Sequence, residues 1–361
     1  MIGATLVRYL ALRFFATIML VFLIIFGMVY IVDFIETLRR VSDRPGITVG
    51  FVALLSFLRT PSVTEQILPF CVLFGTMITF IDLTQKLELI VVRAAGVSVW
   101  QFLLPPVGIA LTIGVLSILV LNPMSAQMKQ RADRMEEYIF GRTGQSASDA
   151  SLWIRQTSMD GQAFLHAKTA ADGDTELTGV NAYIYDRNGR FEAKVKADSG
   201  RLLPGVWRLK NALVSTPSQD ALRVGTYLIA SNDTPDHLAE TFLTPEAVPF
   251  WSLSRLRQET DRSGLDSTGY SLQFQSLLAR PLLLIAMVLI AAAFSLRFFR
   301  FGGIGRMVGG GLGAGFVLYL LTKMVADLGA SGQLSVSVAA WSPAIVGSML
   351  GALALLQRED G

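Results

Sequence analysis

The chain has 361 residues, 52% of them hydrophobic and only 16% charged, with a mean hydropathy of +0.49. A soluble domain carries about 25% charged residues, so this balance belongs to lipid. The net charge of +3, with no Lys/Arg run, gives no footprint for nucleic acid, and the single cysteine, Cys71, can build neither an intrachain disulfide nor a metal cage.

Three apolar stretches near the N-terminus, 14–32, 66–83 and 101–121, and three near the C-terminus, 276–296, 307–328 and 336–356, each approach the ~20 residues that span a bilayer core. The first is too long for a signal-peptide core and is expected to be a retained helix. Six spans put both termini on one side. That side carries Arg8, Arg13, Lys86, Arg93, Arg297, Arg300, Arg306 and Arg358, so the positive-inside rule makes it cytoplasmic. The expected organisation is spans 1–3 over residues 1–122, an outer domain over 123–268 and spans 4–6 over 269–361.

Between spans 1 and 2, Arg39, Arg40, Arg44 and Arg59 accompany Asp33, Glu36, Asp43 and Glu65. This is either a solvated, charge-balanced loop or a rim of guanidinium groups at membrane height, suited to phosphate. Residues 50–59 are apolar but meet Pro61, which predicts a short interfacial helix or the tilted start of span 2. The segment 84–100 reads as a short amphipathic helix with Gly96 near its end. Its apolar Leu87, Leu89, Ile90 and Val91, with Glu88 and Arg93 as charges, suit either a membrane surface or a soluble partner.

A polar helix is expected over 124–140. From Ser151 the pattern changes to period two in six runs: 152–157, 162–170, 180–186, 191–199, 206–215 and 221–230. Asn188-Gly189 is a hairpin signal between two of them. This predicts a β-sandwich or an open β-roll, with a greasy groove if its faces do not close. Residues 245–260 read as an amphipathic helix leading back to the membrane. Span 5 carries the small-residue pairs Gly309/Gly313 and Gly311/Gly315, which permit close helix packing or a sliding contact. Lys323 and Asp327, one turn apart near its outer end, are placed to pair.

Catalytic signatures are lacking. There is no phosphate-binding GxxxxGK[ST] and no HExxH, and the two histidines, His166 and His237, lack ligand-spaced companions. Gly329-Ala330-Ser331-Gly332 superficially matches an intramembrane serine-protease motif, but no span holds a histidine base. Two classes of function remain: a transporter subunit driven by a separate ATPase, or a membrane-anchored envelope enzyme or assembly factor acting through its β domain.

Three stretches, RYLALRFF (8–15), VDFIETLRR (32–40) and LTQKLELIVVRAAGVS (83–98), resemble the LptF/LptG family of lipopolysaccharide-export permeases over essentially the whole chain. LWIRQ (152–156) and AAWSPA (339–344) lean toward the LptG branch. The resemblance implies an α-helical polytopic membrane protein of six transmembrane helices with an inserted periplasmic β-jellyroll, in the bacterial inner membrane. It implies an LptF-like partner, an LptB-like ATPase dimer holding the ATP and Mg, an LptC-like bitopic protein, and no cofactor in this chain. Glu88, with Leu87, Leu89 and Arg93, would couple to the ATPase. Arg39, Arg40 and Arg44 would meet the phosphates or sugars of lipopolysaccharide. Tyr30 stands where some relatives carry a span-1 lysine. Gly309, Gly313, Gly315 and Lys323 would pack the lateral gate, and the jellyroll groove would shield acyl chains.

Overall fold

Helix length sets the scale of the fold. In the computed structural model α1 runs Ala4–Val41 and α2 runs Val49–Gln85. At 1.5 Å per residue, the 38-residue α1 is about 57 Å long, well beyond a hydrocarbon core of about 30 Å. The structure describes residues 4–42, 47–140, 152–158, 161–167, 169–171, 176–186, 190–203, 205–216, 219–231, 244–262, 267–296 and 304–359. Among the described residues, six helices are long and apolar enough to cross a membrane.

Residues 50–59 are the start of span 2, the second of the two expectations, and not a separate interfacial helix. Thr48 caps α2, its Oγ1 accepting from Phe51 N at 3.3 Å, and the helix runs through Pro61 and Pro69. Proline inside a spanning helix is tolerated because neighbouring helices and Ser/Thr side chains satisfy the freed backbone groups. The charges assigned to a loop are corrected accordingly. Asp33, Glu36, Arg39 and Arg40 lie on α1, and Arg59 and Glu65 on α2.

The short α3 (Glu88–Ala94) follows α2. Gly96, at φ +82°, ends the turn, and a Ser98–Gln101 capping box starts α4 (Val99–Leu116). A five-residue π-helical turn, Ser117–Leu121, joins α4 to α5 (Asn122–Phe140). On the C-terminal side follow α6 (Phe250–Arg262), α7 (Thr268–Ser295), α8 (Ile304–Ala330) and α9 (Val336–Glu359).

The helical unit is centred on α7. Leu284, Met287, Val288 and Ala291 are fully buried against Val72, Leu73 and Met77 of α2 and Ala110 of α4. Two glycines allow backbones to touch. A Cβ on Gly75 would lie 2.6 Å from Ile18 Cα of α1, and one on Gly114 would lie 2.6 Å from Pro281 Cα of α7. Gly329 and Ala330 end α8, and Ser331 and Gly332 form the turn after it, with Gly332 at φ +75° and Ser331 Oγ donating to Leu328 O at 3.1 Å.

The chain divides into two compact units, the second covering Arg134–Pro245 and Ser254–Ser267. Its strands are β1 (Leu152–Ser158), β2 (Gly161–Ala167), β3 (Thr169–Ala171), β4 (Glu176–Tyr185), β5 (Phe191–Leu203), β6 (Val206–Thr216) and β7 (Gln219–Ala230). All seven join one antiparallel sheet in the order β1-β2-β4-β5-β6-β7, with β3 paired to β4. The β4–β5 turn lies outside the described residues. Flanking it, Asp186 N donates to Arg190 O at 2.9 Å, as a hairpin requires. One face is packed: Leu165, Val180, Val195, Trp207 and Leu209 are fully buried in a single cluster.

The strand register holds a feature absent from the period-two reading. The ladder skips one line across four strands, Gly179, Asp198, Asn211 and Gly225. On this line the inward face changes parity, from Val195 and Ala197 to Gly200 and Leu202 in β5, and from Trp207 and Leu209 to Ala212 in β6. Gly179 (φ +63°) and Asn211 (φ +53°) supply left-handed backbone, which Gly and Asn adopt at least cost. Asn211 Nδ2 also donates to Asp198 Oδ2 at 3.2 Å.

Candidate functional site

The expected coupling segment is narrower than 84–100, and it is tied to the N-terminus. Lys86 and Leu87 turn the chain, with Leu87 at φ +61°, before α3 begins at Glu88. Glu88 Oε2 accepts from Arg13 Nη1 at 2.8 Å and from the Tyr9 hydroxyl at 3.1 Å. Arg13 Nη1 also donates to the Tyr9 hydroxyl at 2.6 Å, while Nη2 donates to Asp82. Lys86 Nζ lies 3.1 Å from Asp82 Oδ1. Tyr9, Arg13, Asp82, Lys86 and Glu88 thus fix α3 against α1 and the end of α2.

The apolar residues of α3 and of the turn before it divide into two sets. Leu89 is 3% exposed and packs with Leu10, Phe14, Phe80 and Phe102. Leu87 and Val91 are 59% and 67% exposed, and Ile90 is partly exposed beside them. Leu87 and Val91 therefore present the free apolar surface, while Leu89 holds the helix down. The Arg93 side chain lies outside the described residues.

Arg39 and Arg40 occupy the last turn of α1, and both reach back to Glu36, at 3.4 Å and 3.0 Å. Both are exposed, and such pairs are worth only tenths of a kcal/mol, so their charge stays available to an anion. Arg44 lies outside the described residues. Tyr30 stacks on Phe34 at 6.2 Å and meets Phe57 edge-on at 6.4 Å, an aromatic joint between α1 and α2.

The glycines of α8 serve two faces. Gly311 and Gly315 abut Met77 and Leu73 of α2, whereas Gly309 and Gly313 have nothing within 4 Å of an added Cβ. Further along α8, Phe316, Val317, Leu320 and Met324 are exposed, as are Leu23, Ile24, Met28 and Ile31 on α1. The pairing expected between Lys323 and Asp327 is corrected: Lys323 Nζ donates to Gln66 Oε1 of α2 at 3.4 Å.

The sequence reading missed the most buried ionic site among the described residues. Glu65, 7% exposed at its side chain, pairs with Arg280 of α7, 15% exposed. Asn122 Nδ2 donates to Glu65 at 3.1 Å and Ser125 Oγ donates to its other oxygen. Seventeen residues, about 25 Å of helix, separate Glu65 from Asp82 on α2. Two ionic layers therefore bracket an apolar slab close to the thickness of a hydrocarbon core. The signal was Glu65 itself, one residue before an apolar run, but its partner is 215 residues away.

No group of three or more His, Cys, Asp or Glu side chains is placed to hold a metal among the described residues. What the geometry offers is apolar faces, a surface helix and ionic ties between helices. This defines a polytopic membrane protein with an inserted β domain, whose working parts are packing surfaces. The family model for the lipopolysaccharide export system permease LptF/LptG matches residues 8–358, and the chain belongs to that family. It is 25% identical over 327 residues to the lipopolysaccharide export system permease protein LptG of Escherichia coli K12, covering 89% of each chain. It is 23% identical over 360 residues to the LptG protein of Haemophilus influenzae, covering 97% of this chain and 95% of the relative.

Proposed function

We propose that this chain is one permease subunit of an ABC-type exporter that draws lipopolysaccharide from the outer leaflet of the bacterial inner membrane and passes it to a periplasmic bridge. A second, LptF-like permease completes the wall. An LptB-like ATPase dimer, which binds the ATP and Mg, drives it, and an LptC-like protein stands beside α1. The termini are cytoplasmic, on the side rich in Lys and Arg, and the β domain is periplasmic.

The observation that carries this reading is the exposed apolar pair formed by Leu87, in the turn before α3, and Val91 on α3, a helix pinned at its base by Glu88–Arg13 and Leu89. A short rigid helix with a greasy tip suits a socket in a soluble motor. The open faces of α1 and α8 support the same reading, because α1 packs on α2 and α8 touches α2 through Gly311 and Gly315. Each has a free side left for a partner permease or for lipid. The exposed Arg39 and Arg40 suit the phosphates of the cargo. Each CH₂ withdrawn from lipid into water costs about 0.8 kcal/mol, so several acyl chains require a protected path through the β domain.

The test is purification with candidate partners from the native membrane, followed by mass analysis of bound lipid. A soluble ATPase and lipopolysaccharide are expected to co-purify, and Val91→Asp is expected to release the ATPase while the protein stays in the membrane. Recovery of a lone, lipid-free protein, or ATPase capture unchanged by Val91→Asp, would overturn the reading.

A further inference from the structure

Two stretches of the helical unit that link it in sequence to the β domain, the start of α5 and residues 246–250, are gripped by two consecutive residues of α2 and their partners. Outbound, α5 begins at Asn122 and Ser125, and both donate to Glu65. On the return, Asn122 Oδ1 accepts from Phe250 N at 2.9 Å, so one amide side chain reads the buried carboxylate at one end and the start of α6 at the other. The neighbouring Gln66 donates to Glu246 at 3.4 Å and accepts from Lys323 of α8. Lys129 of α5 meets Glu246 at 3.0 Å, and Gln130 donates to Ala247 O at 2.8 Å. Arg280 ties the same carboxylate to α7, one residue before the Pro281–Gly114 contact with α4.

Stability alone is a poor account of this site. A buried ion pair repays its desolvation only with good geometry, and apolar replacements of similar volume are often neutral or stabilising. Charged groups buried between helices, as Glu65 and Arg280 are, persist only when paired, and the pair is retained here beside four further hydrogen-bonding side chains. Immediately before Asn122 lies the π-helical turn Ser117–Leu121, a widened turn of the kind found at functional sites. It provides slack where α4 becomes α5.

We propose that Glu65 is a positioning residue for lipid transfer. It locks the α2–α7 contact to both links of the β domain, so that a rearrangement of the spanning helices is passed to that domain rather than absorbed in the links. The proposal rests on the permease reading above.

The experiment uses the complete exporter in lipid nanodiscs and the double variant Glu65→Leu with Arg280→Met, which removes the charges but keeps the volume. Three quantities are read: ATP hydrolysis, release of lipopolysaccharide from the nanodisc, and the yield of a short thiol crosslink between Lys129→Cys and Glu246→Cys. With the charges removed, hydrolysis is expected to stay within about twofold of the parent, while lipid release falls about tenfold and the crosslink yield drops. Asn122→Leu cuts the bond to Phe250 but leaves Glu65–Arg280 in place; it is expected to uncouple in the same way and serves if the double variant does not assemble. Lipid release and crosslinking both equal to the parent's would overturn the proposal. If the parent itself hydrolyses ATP without releasing lipid, the permease reading fails, and the crosslink alone decides whether Glu65 grips the links, an unchanged yield refuting it.

Discussion

Arg13 of α1 holds Glu88 of α3 at 2.8 Å while also bonding Asp82 at the end of α2. One guanidinium therefore sets the angle of the surface helix, and Glu88 orients α3 as well as lending it charge. In a double-mutant cycle of Arg13→Gln and Glu88→Gln, read as thermal unfolding of the detergent-solubilised protein, the coupling is expected to be about 1 kcal/mol. That is modest because the Glu88 side chain is about one-third exposed. Additive effects of the two substitutions would show that Glu88 is not fixed from within its own chain.

Leu89 and Val91 lie two residues apart and have opposite fates. Leu89→Ala empties part of the cluster around Phe14 and Phe80 and is expected to cost about 2–4 kcal/mol of stability. Val91→Ala is expected to change stability by less than about 0.5 kcal/mol and to weaken retention of the ATPase. Parallel melting and pull-down measurements separate the two.

The glycines are ranked by what stands beside them. Gly75→Ala and Gly114→Ala drive a methyl into the backbone of α1 or α7 and are expected to destabilise by about 1–3 kcal/mol. Gly309→Ala and Gly313→Ala meet open space and gain helix propensity of up to ~1 kcal/mol. In the isolated chain they are expected to be neutral or stabilising. A loss of pairing with the second permease, measured by co-purification, is expected only for this second pair if that face receives a partner helix.

The parity change in the β domain depends on left-handed backbone at Asn211. Asn211→Gly is expected to be tolerated. Asn211→Val places a β-branched residue in that conformation and is expected to cost about 1–3 kcal/mol, read as faster limited proteolysis of the β domain. Equal proteolysis of the two variants would contradict the account.

Burial, and after it the nearby Glu192, push the Tyr227 phenol above its ordinary range. The folded state therefore favours the neutral form. This contribution to stability is complete below the usual tyrosine pKa of about 10 and is lost as pH rises through the raised value. One tyrosine's share of the tyrosinate absorbance is expected to appear later in the alkaline titration than for free tyrosine, and that late share is expected to be missing from Tyr227→Phe.

Hydropathy and alternation by themselves determined that this chain has six spans and a β-strand domain between the third and fourth. Both properties are local: a run of 20 apolar residues, or an alternation over seven, declares itself without reference to any partner. Tertiary structure alone decided which charges are spent. Arg13 and Glu88 are 75 residues apart, and Glu65 and Arg280 are 215 apart. Neither pairing leaves a mark in sequence spacing, because the energy of an ion pair depends on distance and desolvation. The same holds for α8, where Gly309 and Gly311 are identical as letters and differ only in which neighbour the helix turns them toward.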